Sequence, residues 1–546
     1  MASQSGGPGS PAANFKPSVF FGAIGLIGLI ILFAVFNADQ AESSFGAIQS
    51  AATHNFGWFF VLTADILLVF CGYFAISRAG HIRLGGPRAK PQYGLLTWFA
   101  MLFSAGMGIG LLFYGVAEPV MHFSNPPSSA FSNPDATLPR GLAGNAQHAM
   151  GLVFLHWGLH AWGIYAIIGL GLAYVAYNRN LSLSIGAFLK EAFPRIPTLV
   201  VDMIDVLAIT ATVCGVAASL GLGASQINAG LELLLGVPDN GLAKAIIIAV
   251  ITGLATLSVA MGLDTGIRRL SECNMALAVL LALFIFVVGP TVFLLDGFVQ
   301  NIGYYFQRFI YLSTWTETYS PGDWQSKWTI FYYAWWISWS PFVGIFIARI
   351  SYGRSLTEFI SGVLLVPSLF TFAWMTIFGD SALHIELLGN GGLSAAVNAS
   401  MPDALFAFLD HYPLSQIASG LAIIIVATFF VTSADSGALV TAMIASGGHS
   451  HAGLIHRITW AVAFGTLAGA LIWSGGLDAL QTAAIVTGLP FAVVLLLMAA
   501  GLLRMILHEL HLRDEAELEK QEREAAEAAA AAAEAFYAEN EMSRKD

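Results

Sequence analysis

Ser104-Ala105-Gly106-Met107-Gly108-Ile109-Gly110 lies inside an apolar segment long enough to cross a bilayer, and its three alternate glycines weaken a helix where lipid would demand one. Unpaired backbone amides and carbonyls are intolerable in hydrocarbon. A break at this depth must therefore be enclosed by protein, where the freed groups can meet a ligand or an ion. The stretch points to a transport site in an all-α, polytopic membrane fold.

The rest of the chain agrees. Of 546 residues, 57% are hydrophobic and only 10% charged, with mean hydropathy +0.72, which excludes a water-soluble domain of this size. Apolar segments centre on residues 19–37, 57–77, 94–115, 147–174, 200–227, 243–261, 275–296, 327–348, 357–378, 415–441, 455–475 and 482–506. Each is about the 20 residues needed to span the hydrocarbon core, so twelve transmembrane helices are predicted. Connections carrying Arg78, Arg83, Arg88 and Lys90, then Arg179, Lys190 and Arg195, then Arg268 and Arg269, then Arg349 and Arg354, then Arg457, alternate with loops poorer in basic residues. Assigning the basic set to the cytoplasm puts both termini inside, as an even number of spans requires. No small-residue cleavage site follows a short apolar stretch near the N-terminus, so the first span is read as retained. Cys71, Cys214 and Cys273 fall in or beside spans and suit no disulfide framework.

Two segments stand apart from the spans. Residues 298–326 mix Tyr304, Tyr305, Phe306, Phe309, Tyr311 and Trp315 with Arg308, Glu317 and Asp323, the pattern of an amphipathic helix along the outer interface. From 509 to 546 the composition turns to Glu, Ala, Lys and Arg without a sustained apolar stripe, which reads as a solvated cytoplasmic helix.

Aromatic residues gather near the glycine break. In Trp335-Trp336-Ile337-Ser338-Trp339-Ser340-Pro341 the three indoles fall within an arc of roughly 100° on a helix, and Pro341 removes a backbone donor, so a second interrupted span is expected. In the fourth segment Trp157, Trp162 and Tyr165 fit within an arc of about 140°, with His156 and His160 at its edge. Several π faces in one enclosed pocket are what a quaternary ammonium needs, because a cation without N–H donors gains from ring quadrupoles instead of hydrogen bonds. The tenth segment adds Phe429, Thr432 and Ser433 on one face. Their hydroxyls and backbone could join carbonyls near Ser104 and Met107 in a small all-oxygen cage for Na⁺. Asp435 points about 160° from Ser433, which favours a salt bridge or packing hydrogen bond over ion ligation. No phosphate loop, paired catalytic carboxylates or metal cluster support an enzyme. His156 and His160 lack a Cys or carboxylate partner at ligand spacing and are read as core or gate hydrogen-bonding groups.

With Gly106-Met107-Gly108-Ile109-Gly110, His156-Trp157-Gly158-Leu159-His160-Ala161-Trp162 and Trp335-Trp336-Ile337-Ser338-Trp339-Ser340-Pro341-Phe342 in hand, the chain resembles the betaine/choline/carnitine transporter family over all twelve predicted spans. The resemblance implies a LeuT-like core of two inverted five-helix repeats. On that plan 1–18 is a cytoplasmic tail, 19–93 holds two peripheral helices and a basic loop, and 94–297 is the first repeat. The interfacial helix occupies 298–326, the second repeat 327–508 and the charged tail 509–546.

It also implies a substrate cage of Trp157, Trp162, Tyr165 and Trp336, with Trp339 on its cytoplasmic side, Trp335 nearby, and Gly106, Gly108 and Gly110 offering backbone to the substrate. The main sodium site would use Ser104, Met107, Phe429, Thr432 and Ser433. A second would use Thr212, Phe342 and position 216, where this chain has valine in place of the threonine of betaine symporters. An isopropyl group cannot ligate a hard cation, so that site is short of a ligand unless water or Ser219 substitutes. Relatives resembling choline carriers often place aspartate at position 110; glycine there leaves amides free for a substrate carboxylate and favours a zwitterion.

The expectation is Na⁺-coupled symport of a zwitterionic quaternary-ammonium or sulfonium osmolyte, above all glycine betaine, by alternating access in a bacterial inner membrane. No cofactor is expected beyond Na⁺ as the coupling ion, and the resemblance implies a homotrimer in membrane lipid, with no nucleic-acid partner. The alternatives are transport of dimethylsulfoniopropionate, ectoine, choline or carnitine, sodium-independent exchange, or a combined osmosensor and transporter.

Overall fold

The computed structural model describes residues 16–106, 108–127, 141–261, 264–320, 322–448 and 453–543, and these are helical almost throughout. Two compact units divide the chain, Met1–Ala499 and Ala500–Asp546. Ten helices among the described residues are long and apolar enough to cross a membrane.

The first unit begins with α1 (Pro17–Phe36) and α2 (Ala38–Ile76). The glycine-rich segment forms α3 (Leu95–Gly106) and α4 (Ile109–Ser124), and the fourth segment forms α5 (Leu142–Trp157) and α6 (Leu159–Asn178). A short α7 (Ile185–Ala192) leads to α8 (Thr198–Leu235), α9 (Gly241–Met261), α10 (Asp264–Val288) and α11 (Thr291–Thr314). One turn, α12 (Trp324–Lys327), precedes α13 (Thr329–Ile350). Then come α14 (Leu356–Met375), a π-turn at Thr376–Asp380, α15 (Ser381–Leu388), the short α16 (Leu393–Ala399) and α17 (Ala404–Leu409), and α18 (Ser415–Ala445). The last helix, α19 (Leu454–Ser543), contains a kink where Gly475 and Gly476 leave helical geometry, between the two apolar segments read there.

An inside-out pattern marks the membrane. Leu242, Ile246, Val250, Leu254 and Leu257 of α9 repeat at helical spacing and are all exposed. A stripe of that kind is stable against lipid or another apolar surface and not against water, while the molecule's interior is filled by Trp98, Trp335, Trp374, Tyr332 and Tyr333. At the centre, α13 lies against α6 and α8, and α18 against α8.

Three of the basic connections meet at one end of this unit. Arg83 bridges to Ser355, and Leu84 N donates to Arg354 O and Gly353 N to Leu84 O, at 2.9 Å each. Asn178 Oδ1 accepts from Gly85 N at 2.9 Å. Positive loops far apart in sequence thus share one face, as the charge alternation requires. At α14 a capping box closes on itself, Ser355 Oγ accepting from Glu358 N and Glu358 Oε2 from Ser355 N.

Several expectations need correction. The helix placed at 298–326 runs instead over Thr291–Thr314, with Trp324–Lys327 as a separate turn. The interruption expected at Pro341 is absent: α13 is continuous from Thr329 to Ile350. The carbonyl of Ile337, which a residue-341 amide would have bonded, accepts instead from Ser340 Oγ at 2.7 Å. The break falls in the fourth segment, at Gly158 (φ −99°, ψ −135°), where one continuous helix was expected. A Cβ there would collide with the Phe154 carbonyl oxygen and come within 2.8 Å of the Phe372 ring.

The second unit, Ala500–Asp546, is helical to Ser543. Exposed i,i+4 pairs, among them Glu509–Arg513, Lys520–Glu524 and Arg523–Glu527, run along it. Each contributes about 0.3–0.5 kcal/mol to a solvated helix.

Candidate substrate and ion site

The aromatic residues predicted to share a pocket do come together. Trp157 and Trp336 meet edge to face with centroids 5.0 Å apart, and Trp336 and Tyr165 do so at 6.4 Å. Trp162 joins Tyr165 at 5.5 Å, and Trp335 stacks on Trp336 at 4.8 Å with an interplanar angle of 15°. All five rings are buried.

Hydrogen bonds fix the planes of these rings. Trp336 Nε1 donates to the carbonyl of His156 at 2.9 Å and Trp335 Nε1 to that of Gly215 at 3.2 Å. The first acceptor exists because of the break at Gly158, since the last carbonyls of a helix have no partner within it. A glycine in α5–α6 therefore helps to orient a tryptophan of α13.

Gly108, in extended conformation (φ −151°, ψ −177°), precedes α4. A Cβ on it would sit 3.6 Å from the Trp339 ring, so Trp339 reaches the break between α3 and α4. Gly110 lies closer still: a Cβ there would come within 2.9 Å of both Trp157 and Trp335, so the absence of a side chain lets the backbone pack directly on the rings. Two buried donors here, Tyr165 OH and Trp339 Nε1, have no hydrogen-bond partner among the described residues.

Beside Trp339 opens a cavity of about 80 Å³ whose wall includes Phe342, Phe429, Thr432, Ser433 and Asn274. Thr432 Oγ1 donates to the carbonyls of Thr428 and Phe429 at 3.0 and 3.2 Å, which leaves its lone pairs for a cation. Met107 lies outside the described residues, and Ser104 and Gly106 are described by their backbone alone. Thr212 is buried, with Oγ1 donating to Ala208 O at 2.8 Å, and Val216 is buried one turn on. Asp435 forms the ion pair expected of it, with Arg457 at 3.7 Å.

The largest surprise is Glu118. This carboxylate, wholly buried in α4, accepts from His156 Nδ1 at 2.6 Å and His122 Nε2 at 3.2 Å on Oε1, and from Trp157 Nε1 at 2.7 Å and Tyr332 OH at 2.5 Å on Oε2. His156 thus has a carboxylate partner after all, and His160 has one in Asp65 at 3.0 Å. The third apolar segment, 94–115 in the sequence reading, continues as helix to Ser124, and an ionisable residue on that continuation is the signal that points to Glu118.

Long apolar helices, broken backbone enclosed by protein and a buried wall of rings define a multi-pass membrane transporter rather than an enzyme. Residues 18–511 match the betaine/carnitine/choline family of transporters, and the chain belongs to that family. It is 42% identical over 496 residues to a glycine betaine transporter of Bacillus subtilis, covering 90% of this chain and 94% of that one. A glycine betaine transporter of Acinetobacter baylyi is 42% identical over 497 residues, 90% of this chain and 74% of its own. A glycine betaine/proline/choline transporter of Vibrio parahaemolyticus is 42% identical over 511 residues, covering 89% and 90%.

Proposed function

We propose that this protein is a Na⁺-coupled symporter of a zwitterionic quaternary-ammonium osmolyte, with glycine betaine as the preferred substrate. The observation that carries the reading is the buried ring wall of Trp157, Trp162, Tyr165 and Trp336, with two donors, Tyr165 OH and Trp339 Nε1, that have no partner among the described residues. The rings suit a trimethylammonium group, and the donors, with amides near Gly108 and Gly110, suit its carboxylate. The names of the relatives support the same substrate class.

The coupling ion is assigned to the oxygens of Thr432, Ser433 and Phe429 with the backbone of Ser104 and Met107. A second ion at Thr212 and Phe342 is incomplete, because Val216 offers no oxygen. Substrate and Na⁺ bind together from outside, draw the helices around α3–α4, α13 and α18 into one arrangement, and leave after inward reorientation. Membrane potential adds about 2.3 kcal/mol per charge per 100 mV to the sodium gradient.

The architecture that goes with this mechanism has twelve crossings. α3 with α4 forms one, and the Gly475–Gly476 kink divides α19 into two. Inverted repeats at 94–297 and 327–508, a homotrimer in a bacterial inner membrane, cytoplasmic termini and α11 along the outer interface complete the reading. The test is uptake of labelled glycine betaine into proteoliposomes, competed by dimethylsulfoniopropionate, ectoine, choline and carnitine, in Na⁺ or in matched K⁺. Saturable, Na⁺-dependent uptake competed most strongly by unlabelled glycine betaine is expected. Equal uptake in K⁺ contradicts the coupling, and stronger competition by choline or carnitine contradicts the substrate.

A further inference from the structure

We propose that Glu118 is the positioning residue of the substrate cage: its carboxylate sets the plane of the Trp157 indole and ties the outer half of α13 to α4 and α5. The proposal rests on the betaine reading above and adds to it a residue that does not itself touch substrate.

The argument begins with the wiring of the two oxygens. Oε2 takes one donor from α5, Trp157 Nε1, and one from α13, Tyr332 OH. Oε1 takes one from α4 itself, His122, and a second from α5, His156. Three helix segments that build the cage therefore converge on one side chain. The ring nitrogen of His156 that faces the carboxylate carries a proton, and its other nitrogen, Nε2, lies 2.9 Å from Thr329 Oγ1, again on α13. The backbone carbonyl of this same His156 holds the Trp336 indole.

Ring contacts alone leave the Trp157 indole loosely defined. Its neighbours Tyr114, Tyr332, Trp335 and Trp336 meet it tilted or edge to face at 6.2, 5.4, 6.4 and 5.0 Å, arrangements that tolerate sliding and rotation. A charge-assisted N–H···O⁻ bond is directional and fixes which edge of the indole faces α4. A cage that recognises charge by ring faces depends on those faces being held in place before the ligand arrives.

A carboxylate is the group this arrangement needs. Four donors converge on it, and an amide of the same volume has one acceptor oxygen and would turn two N–H donors toward donors. Ligating atoms of Glu118, His122 and His156 also lie within 4.8 Å of one another, a spacing a metal ion could use. The direct bonds at 2.6 and 3.2 Å, with Oε2 already engaged twice, form a closed hub instead.

The experiment uses full-length protein in proteoliposomes and a substrate-independent signature. Protein is labelled with 5-fluorotryptophan, and the ¹⁹F resonance missing from W157F is assigned to Trp157. In Glu118→Gln that resonance should shift or broaden without substrate present, while KM for glycine betaine rises by about tenfold or more and the maximal rate changes less. In the W157F background, which already lacks the indole N–H, adding E118Q should raise KM further by no more than about threefold, because both changes remove one interaction. Should E118Q fail to reach the membrane, Tyr332→Phe, which deletes only a hydroxyl donor to the same oxygen, should move the same resonance and raise KM about threefold.

An unmoved Trp157 resonance, a KM within twofold of the parent, effects that multiply in the double variant, or loss of uptake on chelation of divalent metals overturns the proposal. If the parent protein takes up no glycine betaine, the functional reading fails instead. The resonance still reports on Glu118 in that case.

Discussion

Gly158 and Pro341 lie in helices packed against one another around the same rings, and they interrupt those helices very differently. At Gly158 the chain leaves helical geometry, with the Phe154 carbonyl and the Phe372 ring closing over the space a side chain would need. The freed carbonyl of His156 is then taken by Trp336 from the facing helix. At Pro341 the missing amide leaves one carbonyl open, Ser340 fills it from within the same turn, and α13 stays whole. A break opens a site when the freed backbone group finds its partner on another element. Where the partner lies in the same turn, as Ser340 does for Ile337, the helix stays whole.

Trp336→Ala attacks the point where the two helices meet. It removes the ring that touches Trp157, Tyr165 and Trp335 and should abolish saturable uptake, with affinity lowered by roughly a hundredfold or more, measured by binding to purified protein that still elutes as a folded species. Near-parental affinity would remove Trp336 from the cage.

Gly158→Ala should come next. Its methyl cannot fit beside the Phe154 carbonyl and Phe372, and alanine favours closing the helix, which would return the His156 carbonyl to the ladder and release Trp336. Uptake should fall by about tenfold to a hundredfold with a lowered melting temperature, a combination that uptake and thermal denaturation in detergent would reveal. Gly110→Asp presses a side chain against Trp157 and Trp335. It should lower affinity for glycine betaine by about tenfold and raise the relative preference for choline, read by competition, because a carboxylate near the rings serves a cation that lacks its own.

The smallest effect belongs to the healed helix. Ser340→Ala leaves the buried Ile337 carbonyl without its partner and should cost about 1–3 kcal/mol of stability with little change in KM. Adding Pro341→Ala restores a backbone amide to that carbonyl and should recover the loss. Failure of the double variant to recover would show that Ser340 acts in some other way.

Much of this was legible in the sequence because it depends on composition and local spacing. Apolar length marked the spans, alternate glycines marked the α3–α4 break, and clustered Trp and Tyr marked the rings that now touch. The helical direction of Asp435 left a salt bridge or a packing hydrogen bond open, and Arg457 meets it as the first of these. What escaped was contact between distant segments. Periodicity through Gly158 could not register Phe372 lying over it, and Pro341 looked like a break because the bond from Ser340 competes only once the turn is built. Glu118 and Asp65 were missed as partners of His156 and His160 because ligand spacing was sought within one helix, and the donors come from others.

The central claim is that the ring wall recognises a permanent positive charge, and an isosteric pair tests it most directly. Glycine betaine and 3,3-dimethylbutanoate share shape and carboxylate but differ in a quaternary nitrogen against a carbon. In competition against labelled glycine betaine on purified protein in Na⁺, the betaine should compete at least a hundredfold more strongly, as expected if cation–π attraction of about 2 kcal/mol per desolvated ring supplies the affinity. Equal competition by the uncharged headgroup would contradict the account.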